Sequence, residues 1–219
     1  QDQFQGIDYE IVSNVLQRTG CSFSLTNKEI PWRRQLAWLA TGKIDLMTGA
    51  SRTATREQFA LFSEPYRVEF VTIFVRVEDK EKFAIKQLAG LLKLDIKGLG
   101  YDKGSYYGEE FQRLQSQPEF MPLLHSGNED SNFNRLIHHR LDAVIADEIA
   151  GELIIEQLNQ QNTIVALKDF RIATGNIHAM FSKKTTSPEA LEQFNQELKK
   201  FKETAEYQTI LERFRNGKK

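Results

Sequence analysis

The hydrophobic positions of the chain switch repeatedly between extended and helical spacing. Residues 70–75 (FVTIFV) form a run of aromatic and β-branched side chains that is typical of a buried strand. Residues 8–17 instead carry apolar side chains at helical intervals and lead into Thr19 and Gly20, a common helix end. By the same rules, strands are predicted over 21–25, 44–48, 94–99, 141–147 and 177–181, and helical segments over 31–42, 56–61, 109–114, 133–138 and 148–158.

The C-terminal part of the chain is predicted to be helical. Ser187, Pro188 and Glu189 supply a cap, a proline suited to a first helical turn, and an acid near the positive end of the helix dipole. Two apolar stripes that should face the core follow, at Leu191, Phe194, Leu198 and Phe201 and at Tyr207, Ile210, Leu211 and Phe214. Strands that alternate with helices in this way predict an α/β fold.

Two charged segments divide the chain into three parts. Residues 76–82 (RVEDKEK) and 183–186 (KKTT) interrupt the apolar pattern, and we interpret them as crossings between two lobes. The prediction is a first lobe made of residues 1–75 and 184–219, with a second lobe, residues 76–183, inserted into it. A chain of 219 residues is long enough for two such lobes.

Composition and charge restrict the possible partners. The net charge is −1, so no global basic field attracts nucleic acid or anionic lipid. No apolar run approaches the roughly 20 residues that a membrane helix needs. The chain opens with QDQFQG, which has none of the features of a signal peptide, as expected of either a mature exported protein or a cytosolic one.

Neither disulfide nor metal chemistry is indicated. Cys21 is the single cysteine, so it has no intramolecular partner, and it is interpreted as a small buried hydrophobic residue. No metal and no cofactor are expected, because metal-ligand spacing is missing from the four histidines, His125, His138, His139 and His178.

A hydroxyl-rich turn after the strand at 44–48 is the strongest indication of ligand chemistry. The predicted strand stops at Gly49, Ser51 begins the turn, and Arg56 follows five residues after that serine. Short hydroxyl and backbone donors beside a planar, two-pronged guanidinium are suited to hold a carboxylate. The sequence therefore predicts half of a small-molecule clamp.

Two other candidate binding groups also follow strands directly. Ser105 lies in a glycine-containing turn after the strand at 94–99, and Asp147 ends the strand at 141–147. Because ligands of open α/β sheets bind beyond the carboxyl ends of strands, these groups and the Ser51 turn are expected to share one cleft.

An ordered set of motifs resembles the family 3 periplasmic solute-binding proteins, which bind polar amino acids for ABC importers. The motifs are residues 6–12 (GIDYEIV), 39–45 (LATGKID), 49–56 (GASRTATR), 62–66 (FSEPY) and 140–147 (RLDAVIAD), together with the closing helix at 207–214. The resemblance runs over nearly the whole chain. It implies a type II periplasmic binding protein fold: two lobes, each a sheet flanked by helices, joined by two crossover strands.

The same resemblance assigns roles to individual residues. Arg56 would bind the α-carboxylate of the ligand, assisted by Ser51 and the backbone of Gly49. Ser105 would donate to the same carboxylate from the second lobe, and Asp147 would pair with the α-ammonium. Two of these residues could instead have a purely structural role, because Ser51 and Asp147 are both suited to cap a following turn or helix.

Trp32 matches the position where the family often stacks an aromatic ring on the ligand side chain, although it is equally suited to the core. The chain also departs from the family pattern. The usual leading strand with its Pro-Pro-Phe/Tyr turn is not found ahead of residue 6, and Ala54 and Thr55 replace the usual proline and glutamate. The missing strand bears on the pocket for the ligand side chain more than on the carboxylate clamp.

The resemblance implies an extracytoplasmic, monomeric binding protein, located in the periplasm or on the outer face of the membrane. It would close by hinge motion on a polar amino acid or a related small carboxylate and deliver it to the membrane permease of an ABC importer, without binding nucleic acid. One alternative is a cyclohexadienyl dehydratase-like enzyme on the same scaffold, with Glu148, Glu109 or Glu110 as the acid. The other is the ligand-sensing module of a membrane receptor, excised from a longer protein.

Overall fold

The computed structural model describes residues 6–26 and 30–215. The chain divides into two compact units. Unit 1 is drawn from Gln1–Val68 and Gly175–Lys219, and unit 2 is Glu69–Thr174. The chain therefore leaves unit 1 within one strand, Arg67–Arg76, and returns to it within another, Ile164–Ser182.

Unit 1 combines a small antiparallel sheet with helices. Its helices are α1 (Ile7–Arg18), α2 (Trp32–Thr41), α3 (Ala54–Glu57), α7 (Pro188–Lys202) and α8 (Ala205–Arg215). Its strands are β1 (Leu46–Ser51), β2 (Ala60–Phe62) and the second half of β7 (Ile164–Ser182). β1 and β2 both pair with β7, with Met47 and Phe62 each opposite Met180.

Unit 2 contains the first half of β7 and four further strands. These are β3 (Arg67–Arg76), β4 (Leu99–Tyr101), β5 (Leu124–Ser126) and β6 (Ala143–Asp147), in the order β7-β3-β6-β4-β5. β3 is antiparallel to β6, whereas β4 runs parallel to both β5 and β6. The helices are α4 (Glu109–Leu114), α5 (Glu129–Ile137) and α6 (Glu148–Gln157), with 3₁₀ segments at Val77–Phe83, Leu88–Lys93 and Met121–Leu123.

Both units have packed apolar cores. In unit 1, side chains of α2 pack on β1 and β7 around Leu39, Met47 and Met180. In unit 2, one cluster fills the side of the sheet next to α4, and a second lies beneath α5 and α6 around Phe74 and Phe133. Within the described ranges, no helix has the length and hydropathy that a membrane span requires.

Several sequence predictions need correction. Residues 21–25 form no strand: they are exposed and have no regular structure, because a β pattern needs a partner strand to become one. Cys21 is exposed rather than buried. The charged segments at 76–82 and 183–186 are not crossings, because the first lies inside unit 2 as a 3₁₀ helix and the second inside unit 1.

Candidate functional site

The predicted clamp residues of unit 1 lie at the end of β1. Thr53 is the N-cap of α3, and its hydroxyl accepts a hydrogen bond from the Arg56 amide at 3.3 Å. This cap turns the Arg56 side chain back toward the strand, where its Nη1 donates to the Ser51 carbonyl at 2.7 Å. Both residues are buried, with Arg56 6% and Ser51 7% exposed. The spacing of five residues thus corresponds to a strand end at Ser51, a turn capped by Thr53, and the first three residues of α3.

Trp32 lies against this arginine. It is the first residue of α2, and its ring centroid is 5.4 Å from the guanidinium carbon of Arg56, within the range of a cation–π contact. The ring also packs on the apolar cluster around Leu39 and Met47. The indole nitrogen Nε1 is buried, and it has no hydrogen-bond acceptor within the described ranges.

Gly49 has a structural reason to be glycine. It sits in a bulge of β1 with a φ of 71°, and a Cβ built there would come within 3.0 Å of the Asp8 carboxylate. Its amide donates to the hydroxyl of Tyr66 at 2.8 Å, so that N–H is engaged within unit 1. Asp8 in turn accepts two hydrogen bonds from Arg67, at 2.6 and 2.9 Å.

This arrangement connects two of the sequence motifs. Tyr66, at the end of the FSEPY motif, is fully buried beneath the bulge of the GASRTATR motif. Burial, followed by the Asp8 charge, raises the pKa of its hydroxyl well above the usual value. The Tyr66 carbonyl also accepts a hydrogen bond from Tyr207 at 2.5 Å. The second motif therefore supports the turn that holds Arg56 and Ser51.

In unit 2, the parallel strands β4, β5 and β6 end at the same edge of the sheet. Asp102 follows β4, Glu129 opens α5 shortly after β5, and Asp147 ends β6. Asp147 is the N-cap of α6, and its Oδ1 accepts a hydrogen bond from the Ala150 amide at 2.9 Å. This edge therefore carries three carboxyl groups.

Ser105 lies near the same edge. Its amide donates to the Asp102 carbonyl at 3.2 Å, and its side chain interacts with the hydroxyl of buried Tyr107. That hydroxyl also accepts a hydrogen bond from the Asp102 amide at 2.8 Å. Burial, and then the Glu129 charge, raises the pKa of Tyr107 above its usual range. The two predicted residues of unit 2, Ser105 and Asp147, are thus neighbours of one acidic edge.

Two acidic residues of this edge were not predicted from the sequence. Burial, followed by the charges of Asp147, Asp102 and Asp130, raises the pKa of Glu129 from 4.5 to about 7. Burial also raises the pKa of Asp102 from 3.8 to about 6. The available signal was their position after a strand, but β5 is three residues long and gives no recognisable pattern.

The raised pKa of Glu129 predicts a pH-dependent effect on stability. The folded state favours the protonated carboxyl, so its contribution to stability is complete below pH 4.5 and is lost as the pH rises through about 7. Glu129→Gln, which is neutral at every pH, should therefore gain stability relative to the unmodified protein between about pH 5 and pH 8. Urea unfolding at several pH values measures this difference. For the control Glu119→Gln, at an exposed position, the free energy of unfolding should differ from that of the unmodified protein by the same amount at every pH. A difference for Glu129→Gln that does not change with pH would contradict the prediction.

Two of the three acids considered for an enzyme, Glu148 and Glu110, are engaged within unit 2. Glu148 forms an ion pair with Arg171 at 2.5 Å, and that guanidinium lies 4.1 Å from the centroid of the Phe70 ring. The Oε1 of Glu110 accepts a hydrogen bond from the Ala89 amide at 3.1 Å. Within the described ranges, no group of three or more His, Cys, Asp and Glu residues is arranged to hold a metal ion.

Comparison with known protein families identifies the family of this chain. The model of the bacterial extracellular solute-binding proteins, family 3, matches residues 1–217. The chain belongs to this family. No curated protein sequence matches it.

Solved structures share the fold of this family 3 protein. The arginine-, lysine-, histidine-binding protein ArtJ from the thermophilic bacterium Geobacillus stearothermophilus matches with a TM-score of 0.76 at 20% identity, over 98% of this chain and 87% of that one. The amino acid ABC transporter substrate-binding protein AbpA from Streptococcus pneumoniae, bound to L-arginine, matches with a TM-score of 0.78 at 22% identity, over 98% and 85%.

An ancestral amino acid-binding protein, AncCDT-1, described as a precursor of cyclohexadienyl dehydratase, matches with a TM-score of 0.74 at 23% identity, over 97% of this chain and 86% of that one. These likenesses confirm the predicted class, an α/β periplasmic binding protein fold with helices flanking sheets.

Proposed function

We propose that this solute-binding protein captures a polar amino acid outside the cytoplasm and delivers it to the permease of an ABC importer. Arg56 and Ser51 of unit 1 bind the α-carboxylate, Ser105 of unit 2 donates to the same carboxylate, and Asp147 of unit 2 binds the α-ammonium. One zwitterion that engages both sets of groups favours closure of the two units by a hinge motion. The protein acts as a monomer on the outer side of the membrane.

The buried guanidinium of Arg56 is the observation that carries this proposal. Most arginines are exposed, whereas this one is held next to a strand end by the Ser51 carbonyl at 2.7 Å. A carbonyl acceptor orients the guanidinium, which can bind a carboxylate through two parallel N–H groups. Burial strengthens such a charge-assisted contact relative to water.

The acidic edge of unit 2 supports the second half of the proposal. Asp147 places a carboxylate at the end of β6, and Asp102 and Glu129 add negative potential around it. A cationic group therefore finds a favourable field at this edge. The α-ammonium of an amino acid is such a group, and a basic side chain is another, which makes arginine, lysine and histidine the first ligands to test.

Two solved neighbours agree with this choice, because ArtJ is named as an arginine-, lysine-, histidine-binding protein and AbpA is bound to L-arginine. Closure on a zwitterion requires both charges to be paired as water leaves, since an unpaired buried charge is strongly destabilising. Closure is therefore favoured only by a ligand that contacts the closed form better than the open one.

A thermal-shift screen against the natural amino acids tests the proposed function. A ligand at a hundredfold excess over its Kd should stabilise the protein by about 2.7 kcal/mol, which corresponds to a rise of roughly 5–10 °C in Tm for a chain of this size. Small dicarboxylates, and analogues of each hit that lack either the amino or the carboxylate group, serve as controls. A protein stabilised by no amino acid, or equally well by the analogues, would contradict the proposal.

The same samples separate binding from catalysis. A binding protein takes up ligand stoichiometrically and releases it unchanged. Incubation with prephenate-like acids, followed by product analysis, would reveal the dehydratase activity that was the alternative from sequence. The engagement of Glu148 and Glu110 within unit 2 gives no support to that activity.

A further inference from the structure

We propose that unit 2 carries a second binding site, on the exposed face of α5, which takes a phosphate group. Arg135 and Arg140 supply its positive charge, and Ser131, Asn134 and His138 complete its wall. Free phosphate and a phospholipid headgroup present the same oxygens, so both are sources of such a group. The site shares no residue with the amino-acid site proposed above, and it does not depend on that function.

The first observation is a polar hollow on the surface of α5. Four polar side chains recur at i, i+3, i+4 and i+7, the spacing that places residues on one side of a helix: Ser131, Asn134, Arg135 and His138. Together with Arg140 they line an open cavity of about 260 Å³. Pockets for whole small molecules are larger, roughly 300–1,000 Å³, so this hollow suits a single small group.

The second observation is the way in which α5 ends. The Arg140 amide donates to the Arg135 carbonyl at 2.8 Å, and the His139 amide donates to the Leu136 carbonyl at 3.1 Å. These two hydrogen bonds are those of a Schellman helix end. Gly42 ends α2 with a φ of 77°, whereas His139 takes the left-handed conformation in α5, with a φ of 55°. The backbone therefore holds Arg140 against the last turn of α5, and its side chain lines the same hollow as Arg135.

The third observation is positive charge without a balancing carboxylate. Neither Arg135 nor Arg140 forms an ion pair with a carboxylate of the described residues. Arg135 donates instead to the neutral amide oxygen of Asn132, at 3.3 Å. Lys97 adds a third cation at this helix end, because its Nζ donates to the His139 carbonyl at 2.9 Å. Like charges on neighbouring side chains repel each other, so an anion bound in the hollow removes a repulsion as well as adding contacts.

The donors around the hollow suit a phosphate better than a carboxylate. A guanidinium binds either anion through two parallel N–H groups. A carboxylate presents only two oxygens, whereas the phosphate group of an ester presents three strong acceptors. A phosphate can therefore engage Arg135, Arg140 and the hydroxyl of Ser131 at the same time.

Titration calorimetry with inorganic phosphate tests the site. The unmodified protein should bind phosphate saturably, and Arg135→Gln and Arg140→Gln should each weaken binding about 10- to 100-fold, as for loss of hydrogen bonds to a charged group. Arg140→Lys keeps the charge but removes the planar fork, so it should bind with an intermediate affinity. Arg113→Gln, at an exposed position of α4 in the same unit, removes an equal charge and should leave the Kd unchanged. Urea unfolding confirms that each variant is folded.

Vesicles distinguish the two sources of the phosphate group. A phospholipid source predicts that the protein sediments with phosphatidylglycerol vesicles, that Arg135→Gln and Arg140→Gln lose this binding, and that Arg113→Gln keeps it. A free anion as the source predicts binding of inorganic phosphate without sedimentation on vesicles. Either result supports a phosphate site on α5.

Three results would overturn the site. The first is that neither inorganic phosphate nor phosphatidylglycerol vesicles bind the unmodified protein. The second is that Arg113→Gln weakens binding as much as the α5 variants do, because the effect would then come from net charge and not from this hollow. The third is that glutarate, a dicarboxylate, binds as tightly as phosphate and is weakened equally by Arg140→Gln, which would contradict the preference for phosphate. Each result leaves the amino-acid function standing, because that function involves neither Arg135 nor Arg140.

Discussion

Arg56→Ala is expected to weaken amino-acid binding by a factor of about 30 to 4,000. Truncating one partner of a buried, hydrogen-bonded charge pair costs about 2–5 kcal/mol, much of it from the charge left without a partner. Arg56→Lys keeps the positive charge but removes the planar fork, and should bind with an intermediate affinity. Titration calorimetry against the best ligand of the screen measures the Kd of both variants. An unchanged Kd for Arg56→Ala would contradict the proposal that Arg56 binds the ligand carboxylate.

Arg52 offers a matched control in the same turn. Its side chain is 60% exposed and forms a 2.5 Å surface ion pair with Glu57. Such pairs contribute about 0–1 kcal/mol, so Arg52→Ala should fold normally and keep its Kd within about twofold. If both arginine variants lost affinity equally, the effect would come from the charge of the turn and not from the position of Arg56.

The elements that the sequence predicted well are those fixed by local chemistry. Ser187 caps α7 through a 3.2 Å hydrogen bond from the Ala190 amide, as the Ser-Pro-Glu start predicted. Gly42 ends α2 with a φ of 77°, the left-handed conformation that glycine adopts without strain. Caps and helix ends involve residues within four or five positions of each other, so a single sequence specifies them.

The predictions that were wrong depended on distant partners. Residues 21–25 have the alternation of a strand, but alternation cannot show whether another strand lies beside them. Residues 76–82 look like a solvent-exposed crossing because they are charged. The structure instead buries Arg76 through pairing with residues up to 66 positions away, which sequence spacing does not reveal.

The residues of the candidate site show the same distinction between neighbours in sequence and partners that are distant in sequence. Ser51 and Arg56 are joined by one turn, so their proximity followed from their spacing, and the Thr53 cap explains it physically. Glu129 and Asp102 come together only through the parallel pairing of β4 with β5. Residues linked by a crossover are distant in sequence, and strands of three residues carry too little pattern to predict it.

Arg76→Met is expected to destabilise unit 2 by about 3–5 kcal/mol, the range for breaking a buried ion pair by removing one partner. The Arg76 side chain is 8% exposed, and its Nη2 donates to Asp142 at 2.7 Å. Its Nη1 donates to the carbonyls of Leu136 and Leu141 at 2.9 and 2.7 Å. Methionine fills a similar volume but leaves the carboxylates of Asp142 and Asp79 without this guanidinium and both carbonyls without this donor. Urea unfolding measures the loss, with the exposed Arg113→Met as the control that should change stability little.

The pH dependence of this loss gives a sharper test than its size. Burial acts to raise the pKa of Asp142, but hydrogen bonds from the Lys97 amide and from Arg76 outweigh burial and leave the pKa lowered. For a carboxyl with a lowered folded pKa, the stabilisation is present above its usual value of 3.8 and is lost as the pH falls through the folded value. The stability difference between Arg76→Met and the unmodified protein should therefore be largest near neutral pH. It should shrink as Asp142 takes up a proton in acid, because a neutral carboxyl no longer needs the arginine. A difference that stays constant down to the acid transition would show that Arg76 acts through packing and its carbonyl contacts, and not through the charge of Asp142.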